Sequence, residues 1–106
     1  MKTREQLISE IVENFDWERT HKAMRLLEWK WASAITEDGV PTIGNLMVTA
    51  IRLLQDAYDG AMKEKKTYYA CTGGFEAIAH VEDGEFYELE LQFVLASWDA
   101  QVDEQN

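Results

Sequence analysis

The last forty residues of this 106-residue chain contain no Lys or Arg, although they contain nine Asp and Glu. All ten basic residues lie in residues 1–66, where eleven acids nearly balance them. Proteins that bind DNA or RNA neutralise phosphates with cations. The charge distribution therefore disfavours direct binding of nucleic acid and predicts a basic protein surface as the partner.

Other absences limit the class of protein. A single cysteine cannot form an internal disulfide, which indicates a reducing compartment. No apolar run approaches the roughly 18 residues that cross a bilayer, and "MKTREQLISE" lacks the apolar stretch of a signal peptide. With 46% hydrophobic residues and one proline, the composition is that of a folded protein. We therefore expect one cytoplasmic domain over residues 1–106 that has no membrane partner.

Residues 1–66 carry helical periodicity and three N-terminal caps. Thr3 begins a capping box before a helix predicted over residues 4–14. Asp16 is a good N-cap for a second helix to about Lys30, and Thr42 caps a third helix after the only proline. The third helix has one broad apolar stripe: Ile43, Leu46, Met47, Ala50, Leu53, Leu54, Ala57, Tyr58 and Ala61.

From Tyr69 the hydrophobic period changes from 3.6 to 2, which predicts β-structure over residues 67–99. We expect one long antiparallel hairpin that turns through a three-residue loop at residues 82–84. This register places Phe75 opposite Leu91 and Gly73 opposite Phe93. Residues 100–106 are expected to form a flexible acidic tail. The predicted fold is therefore α+β, with three helices packed on one face of a long hairpin; because two strands alone are marginal in water, a homodimer is possible.

The "TGGF" segment supports two interpretations. In the structural one, Gly73 makes room for Phe93 or for an aromatic ring from a helix, and Gly74 allows a bulge or a twist. In the functional one, Thr72, Gly73 and Gly74 bind a small ligand together with nearby aromatic residues. A phosphate loop is disfavoured, because more strand follows the glycines and no cation lies downstream.

Residues for catalysis or for a metal are scarce. The inward parity of Cys71 predicts a buried, inert thiol. His21 and His80 lie on different elements, and with one cysteine they make no zinc motif. We expect no catalytic residue, no metal, no cofactor and no enzymatic activity.

The predicted register sets Glu76 directly opposite Glu90 on the outer face of the hairpin, with Glu88 one step along. This acidic face is either a solvated surface that keeps the sheet soluble or a docking site for a basic partner. Trp29 is a second candidate for partner binding. If the second helix reaches it, its ring lies in water between Lys22 and Arg25; if the helix ends near Glu28, the ring turns inward.

Three segments, "GVPTIGNL", "TGGFEA" and "LELQFVLASWD", lie within about residues 38–99. In these segments the chain resembles small uncharacterised proteins of phages and mobile elements. The resemblance implies an accessory protein that acts on host or competitor machinery, and it assigns no catalytic residue. The sequence therefore predicts an acidic binding module for a basic protein, with nucleic-acid-binding proteins among the candidate partners; the alternative is a small-ligand-binding protein.

Overall fold

Three helices precede three strands in the part of the chain that the computed structural model describes, which comprises residues 2–31, 34 and 36–93. The elements are α1 (Arg4–Asn14), α2 (Trp17–Leu26), α3 (Ile43–Glu64), β1 (Tyr68–Thr72), β2 (Phe75–Glu82) and β3 (Glu85–Phe93). The strands form an antiparallel sheet in the order β1-β2-β3. The predicted α+β class is confirmed, but the hairpin is a three-stranded meander. The predicted strand residues 94–99 and the tail lie outside the described residues.

Side-chain caps set the helix N-termini where the sequence predicts them. Thr3 and Gln6 form a capping box at α1, and Thr42 forms one with Asn45 at α3. The carboxylate of Asp16 accepts the backbone N–H of Arg19 at 3.0 Å. Each cap provides an acceptor for an N–H that has no partner within its helix.

The predicted end of α2 at Lys30 is wrong, because the helix stops at Leu26 in a Schellman motif. The backbone N–H of Glu28 donates to the carbonyl of Arg25 at 3.2 Å, and that of Trp29 donates to the carbonyl of Met24 at 2.8 Å. Glu28 takes the left-handed conformation, with φ of 53°. This position is usually Gly or Asn, so the sequence carries no stop signal there.

Gly73 and Gly74 form a two-residue turn between β1 and β2 rather than the interior of one strand. Both have positive φ, 60° and 97°, as a type I′ turn requires. The turn pairs Thr72 with Phe75 and Cys71 with Glu76. The single long strand predicted over this segment is therefore wrong. The side chains of the residues before the turn lie on the opposite face of the sheet from the one predicted.

The β2–β3 connection is also a two-residue turn, Asp83-Gly84, and the predicted three-residue loop is wrong. Both turn residues have positive φ, 54° and 78°. A bulge lies just beyond, because His80 pairs with Glu88 and Val81 pairs with Phe86, which leaves Tyr87 without a partner. The extra residue compensates for the parity that the short turn would lose, and it changes the register by two residues from the predicted one.

The core lies between the helices and the inner face of the sheet. Helix α3 packs against all three strands. Ring contacts join Phe75, which is fully buried, to Phe15, Trp17 and Phe93 at centroid distances of 6.0, 6.0 and 5.6 Å. The buried residues of this cluster are Ile8, Ala23, Met24, Val40, Leu46, Leu53, Leu54, Ala57, Ala61, Phe75, Ala77, Ala79, Leu89 and Phe93.

The third strand and α3 supply the packing that an isolated hairpin lacks. Fold stability therefore does not call for a second copy, and a homodimer stays a prediction. None of the helices among the described residues has both the length and the apolar character of a membrane span.

Candidate functional site

The face of the sheet opposite the core carries Glu76 of β2 and Glu88 and Glu90 of β3. We call this the outer face and define it by the following residues: Tyr69, Cys71, Glu76, Ile78, His80, Tyr87, Glu88, Glu90 and Gln92. Strand pairing sets most of them in rows across the sheet, one row being Cys71, Glu76 and Gln92. The next row is Tyr69, Ile78 and Glu90. No Lys or Arg is present in the sequence of any of the three strands.

The predicted opposition of Glu76 and Glu90 is wrong, because Glu76 pairs with Gln92 and Glu90 pairs with Ile78. The Glu76 carboxylate accepts a hydrogen bond from Gln92 Nε2 at 3.3 Å and one from Cys71 Sγ at 3.3 Å. Neutral donors on both neighbouring strands thus hold this carboxylate across the sheet. Glu76, Glu88 and Glu90 therefore lie in separate rows of the outer face, and none of these three carboxylates is directly opposite another.

His80 lies between the other two carboxylates of the outer face. It is the strand partner of Glu88, and its Nε2 lies 3.5 Å from Oε1 of Glu90. Its ring centroid is 5.7 Å from that of Tyr87. His80 thus lies on the outer face close to the β2–β3 turn.

Two tyrosines add exposed aromatic surface to the acidic residues. Tyr69 on β1 is 59% exposed and Tyr87 in the bulge is 60% exposed, whereas Ile78 on the central strand is only 4% exposed. Strict alternation with the inward residues Leu89 and Leu91 would place Tyr87 on the core, but the bulge turns Phe86 onto the core instead. Phe86 meets the ring of Tyr58 edge-on at 5.2 Å.

Cys71 is exposed, so the predicted burial of its thiol is wrong. The two-residue turn pairs it with Glu76 on the outer face instead of with the core. The hydrogen bond that the thiol donates to the Glu76 carboxylate raises the pKa of Cys71, and desolvation and the charge of Glu76 act in the same direction. A raised pKa leaves less thiolate at neutral pH, which is the opposite of what a nucleophilic cysteine needs.

Thr72, Gly73 and Gly74 lie at the far end of the sheet, beneath two tryptophans. Trp31 Nε1 donates to the carbonyl of Gly73 at 2.9 Å. A Cβ at Gly74 would approach the ring of Phe93 to 2.8 Å and Trp29 Nε1 to 3.5 Å. The glycines therefore have a structural role, as a tight turn on which aromatic rings pack.

Trp29 is half-buried and packs against the core, so of the two predicted positions the inward one is observed. The end of α2 at Leu26 explains this, because the chain has already left the helix when it reaches Trp29. Trp29 does not join the acidic residues of the outer face.

Within the described part of the chain, no group of three His, Cys, Asp or Glu side chains comes together as a metal site would require. His21 lies on α2 and is partly exposed, whereas His80 and Cys71 lie on the sheet. His21, His80 and Cys71 thus lie on three different elements.

Sequence reasoning missed Tyr69 and Tyr87 as outer-face residues and Trp31 as the partner of the glycine turn. A signal for Tyr69 existed, because two adjacent glycines flanked by alternating residues are typical of a type I′ hairpin turn. No local signal pairs Trp31 with Gly73, since 42 positions separate them. Comparison with protein-family models, curated proteins and solved structures finds no significant match for the chain.

Proposed function

We propose that this protein is a non-enzymatic binding module whose outer face docks onto a basic surface of another protein. One observation carries the proposal. The carboxylates of Glu76, Glu88 and Glu90 share one sheet face whose strands contain no Lys or Arg. Such a face attracts cationic surfaces over a distance of about one Debye length and repels acidic ones.

The exposed tyrosines support docking rather than solvation alone. Tyr69 and Tyr87 keep more than half of their surface in water, although burial of either ring would be favourable. Tyrosine is one of the residue types that dominate binding energy at protein interfaces. Arginine side chains also stack on aromatic rings while they pair with carboxylates. An Arg-rich surface therefore fits both kinds of side chain on this face.

The class of partner follows from the same chemistry. Proteins that bind nucleic acids present basic surfaces, because they must neutralise phosphates. An acidic module on such a surface would compete with the nucleic acid. This role agrees with the proposed membership among accessory proteins of phages or mobile elements, which act on host or competitor machinery.

A capture experiment with matched charge variants tests the proposal. The immobilised protein is exposed to lysate at 50 mM salt and eluted at 500 mM, conditions that shorten the screening length from roughly 14 Å to 4 Å. We expect basic proteins to be retained and then released. The combined variant Glu76→Gln, Glu88→Gln and Glu90→Gln should lose them. Association of the principal captured protein, once purified, should slow for this variant and depend less on salt.

The control variant carries Glu13→Gln, Glu18→Gln and Glu64→Gln, three exposed acids on the helices. Both variants change the net charge from −10 to −7, so they differ only in where the charge is removed. Retention of the basic proteins by the control and their loss from the outer-face variant supports the proposal. Equal retention by the two variants refutes it.

A further inference from the structure

A cleft of about 690 Å³ opens beside the Gly73 turn, on a different part of the molecule from the outer face. Its walls come from three separate segments. The loop after α2 contributes Lys30 and Trp31, the middle of α3 contributes Arg52, and the end of β1 contributes Thr72. Its volume falls within the range of small-molecule sites, roughly 300–1,000 Å³.

Two cations converge on this cleft in a protein with a net charge of −10. Lys30 and Arg52 are both exposed, and neither forms an ion pair within 4.0 Å with another residue of the described chain. Asp56, one turn along α3, supplies the only carboxylate among the described residues of the lining, so these residues carry an excess of one positive charge. Arg52 and Asp56 lie four positions apart on α3, but they do not form an ion pair within 4.0 Å among the described residues.

The aromatic wall of the cleft is fixed before any ligand arrives. Trp31 Nε1 donates to the carbonyl of Gly73 at 2.9 Å, and the backbone N–H of Trp31 donates to the carbonyl of Gly39 at 2.9 Å. The stem of Lys30 packs along Gly39, where a Cβ would lie 3.5 Å from its Cγ and Cδ. Because hydrogen bonds fix both the side chain and the backbone of Trp31, little binding free energy would be spent on ordering this residue when a ligand binds.

We infer that this cleft binds a small organic anion with a flat apolar body. Lys30 and Arg52 pair with its carboxylate or phosphate group, and the body packs along Trp31 and Leu53. The hydroxyls of Thr49 and Thr72 are available to hydrogen-bond the same group. The outer face, by contrast, repels anions, so the two surfaces select ligands of opposite charge.

The test uses two probes of the same shape, 2-naphthoate and its neutral analogue 2-naphthamide, titrated into ¹⁵N-labelled protein. We expect naphthoate to bind about tenfold more tightly than the amide, with amide shifts concentrated at Thr49, Thr72 and Gly73. A third titration with 2-naphthyl phosphate decides which anionic head group the cleft prefers. Equal affinity for naphthoate and naphthamide, shifts located elsewhere, or no naphthoate binding would each overturn the inference.

Charge variants assign the effect to the two cations. Lys30→Gln combined with Arg52→Gln should weaken naphthoate binding about tenfold and leave naphthamide unchanged. Lys66→Gln removes an exposed cation outside the cleft and should leave both affinities unchanged. If the Lys66 variant lost as much affinity as the Lys30 and Arg52 variant, the attraction would be general and the inference wrong. None of these variants changes the outer face, so either proposal can fail without the other.

Discussion

The indole of Trp31 donates a hydrogen bond to the carbonyl of Gly73 and occupies the space where a side chain on that glycine would lie. The donor–acceptor distance is 2.9 Å, and a Cβ on Gly73 would come within 2.5 Å of the ring carbon Cζ2. The φ of Gly73 is also positive, 60°. Glycine at this position is therefore required twice, by the turn and by the ring.

The Gly73 requirement predicts a difference between two alanine variants. Gly84 also has positive φ, but no atom of the described residues lies within 4 Å of its Cβ position. Gly84→Ala should therefore cost only the backbone strain, about 1–2 kcal/mol. Gly73→Ala adds overpacking against Trp31 and should cost about 2–5 kcal/mol. Chemical denaturation of both variants measures the difference, and equal losses would mean that the ring moves aside at little cost.

A second prediction concerns the end of α2. Glu28 has φ of 53° at the position of a Schellman motif where glycine is usual. Glu28→Gly should raise the free energy of unfolding by about 1 kcal/mol, because it removes the strain of a left-handed residue. Ser9→Gly in the middle of α1 is the control and should lower it by about 0.5 kcal/mol. A loss of stability in the Glu28 variant would contradict the motif.

The pairing of Cys71 with Glu76 predicts that the Cys71 thiol reacts slowly with alkylating reagents. Only the thiolate reacts with iodoacetamide, and the carboxylate raises the pKa of Cys71. The rate at pH 8 should therefore lie below that of an unstructured cysteine peptide. Glu76→Ala should shift the pH–rate midpoint to lower pH, whereas Glu85→Ala, at the start of β3, should leave it in place. An unchanged midpoint after Glu76→Ala would exclude the hydrogen bond in solution.

The bulge predicts opposite outcomes for neighbouring aromatic residues. Phe86 packs edge-on against Tyr58, so Phe86→Ala should cost about 2–4 kcal/mol. Tyr87 is 60% exposed, and Tyr87→Ala should change the free energy of unfolding by no more than about 0.5 kcal/mol. Thermal and chemical denaturation of the two variants would show the order. A larger loss of stability for Tyr87→Ala than for Phe86→Ala would contradict the bulge and support a register without it.

Sequence reasoning predicts the helices better than the sheet, because the helix signals are local. Thr3, Asp16 and Thr42 each act within three residues, so the sequence places their caps correctly. The structure of the sheet depends on which of the two alternating sets of side chains in each strand faces the core. Strict alternation assigns Tyr87 to the core, whereas contact with Tyr58, on a distant helix, selects Phe86. A single unpaired residue then changes the register of the whole strand.

The candidate sites divide in the same way. The outer face could be predicted as acidic, because it depends on composition alone, but its pairings could not. The sequence interpretation in which Thr72 and Gly73 bind a small ligand beside aromatic residues names part of the cleft lining. The cations of the cleft could not be predicted, since Lys30, Arg52 and Thr72 come from three segments that only the folded chain brings together. The early end of α2 is decisive there, because a helix that continued to Lys30 would carry Trp31 away from the glycine turn.

Tyr87 also has a consequence for comparing this chain with others. Val81 pairs with Phe86 and His80 pairs with Glu88, so a chain that lacked a residue at position 87 would keep every other pairing of β2 with β3. The pairing of β2 with β3 in such a chain would be continuous, without a bulge. Sequence alignments should therefore allow a one-residue gap here inside a strand, where gap penalties usually forbid one. Relatives with and without this residue would share the core positions from Leu89 to Phe93. In an alignment without the gap, these positions would be offset by one residue.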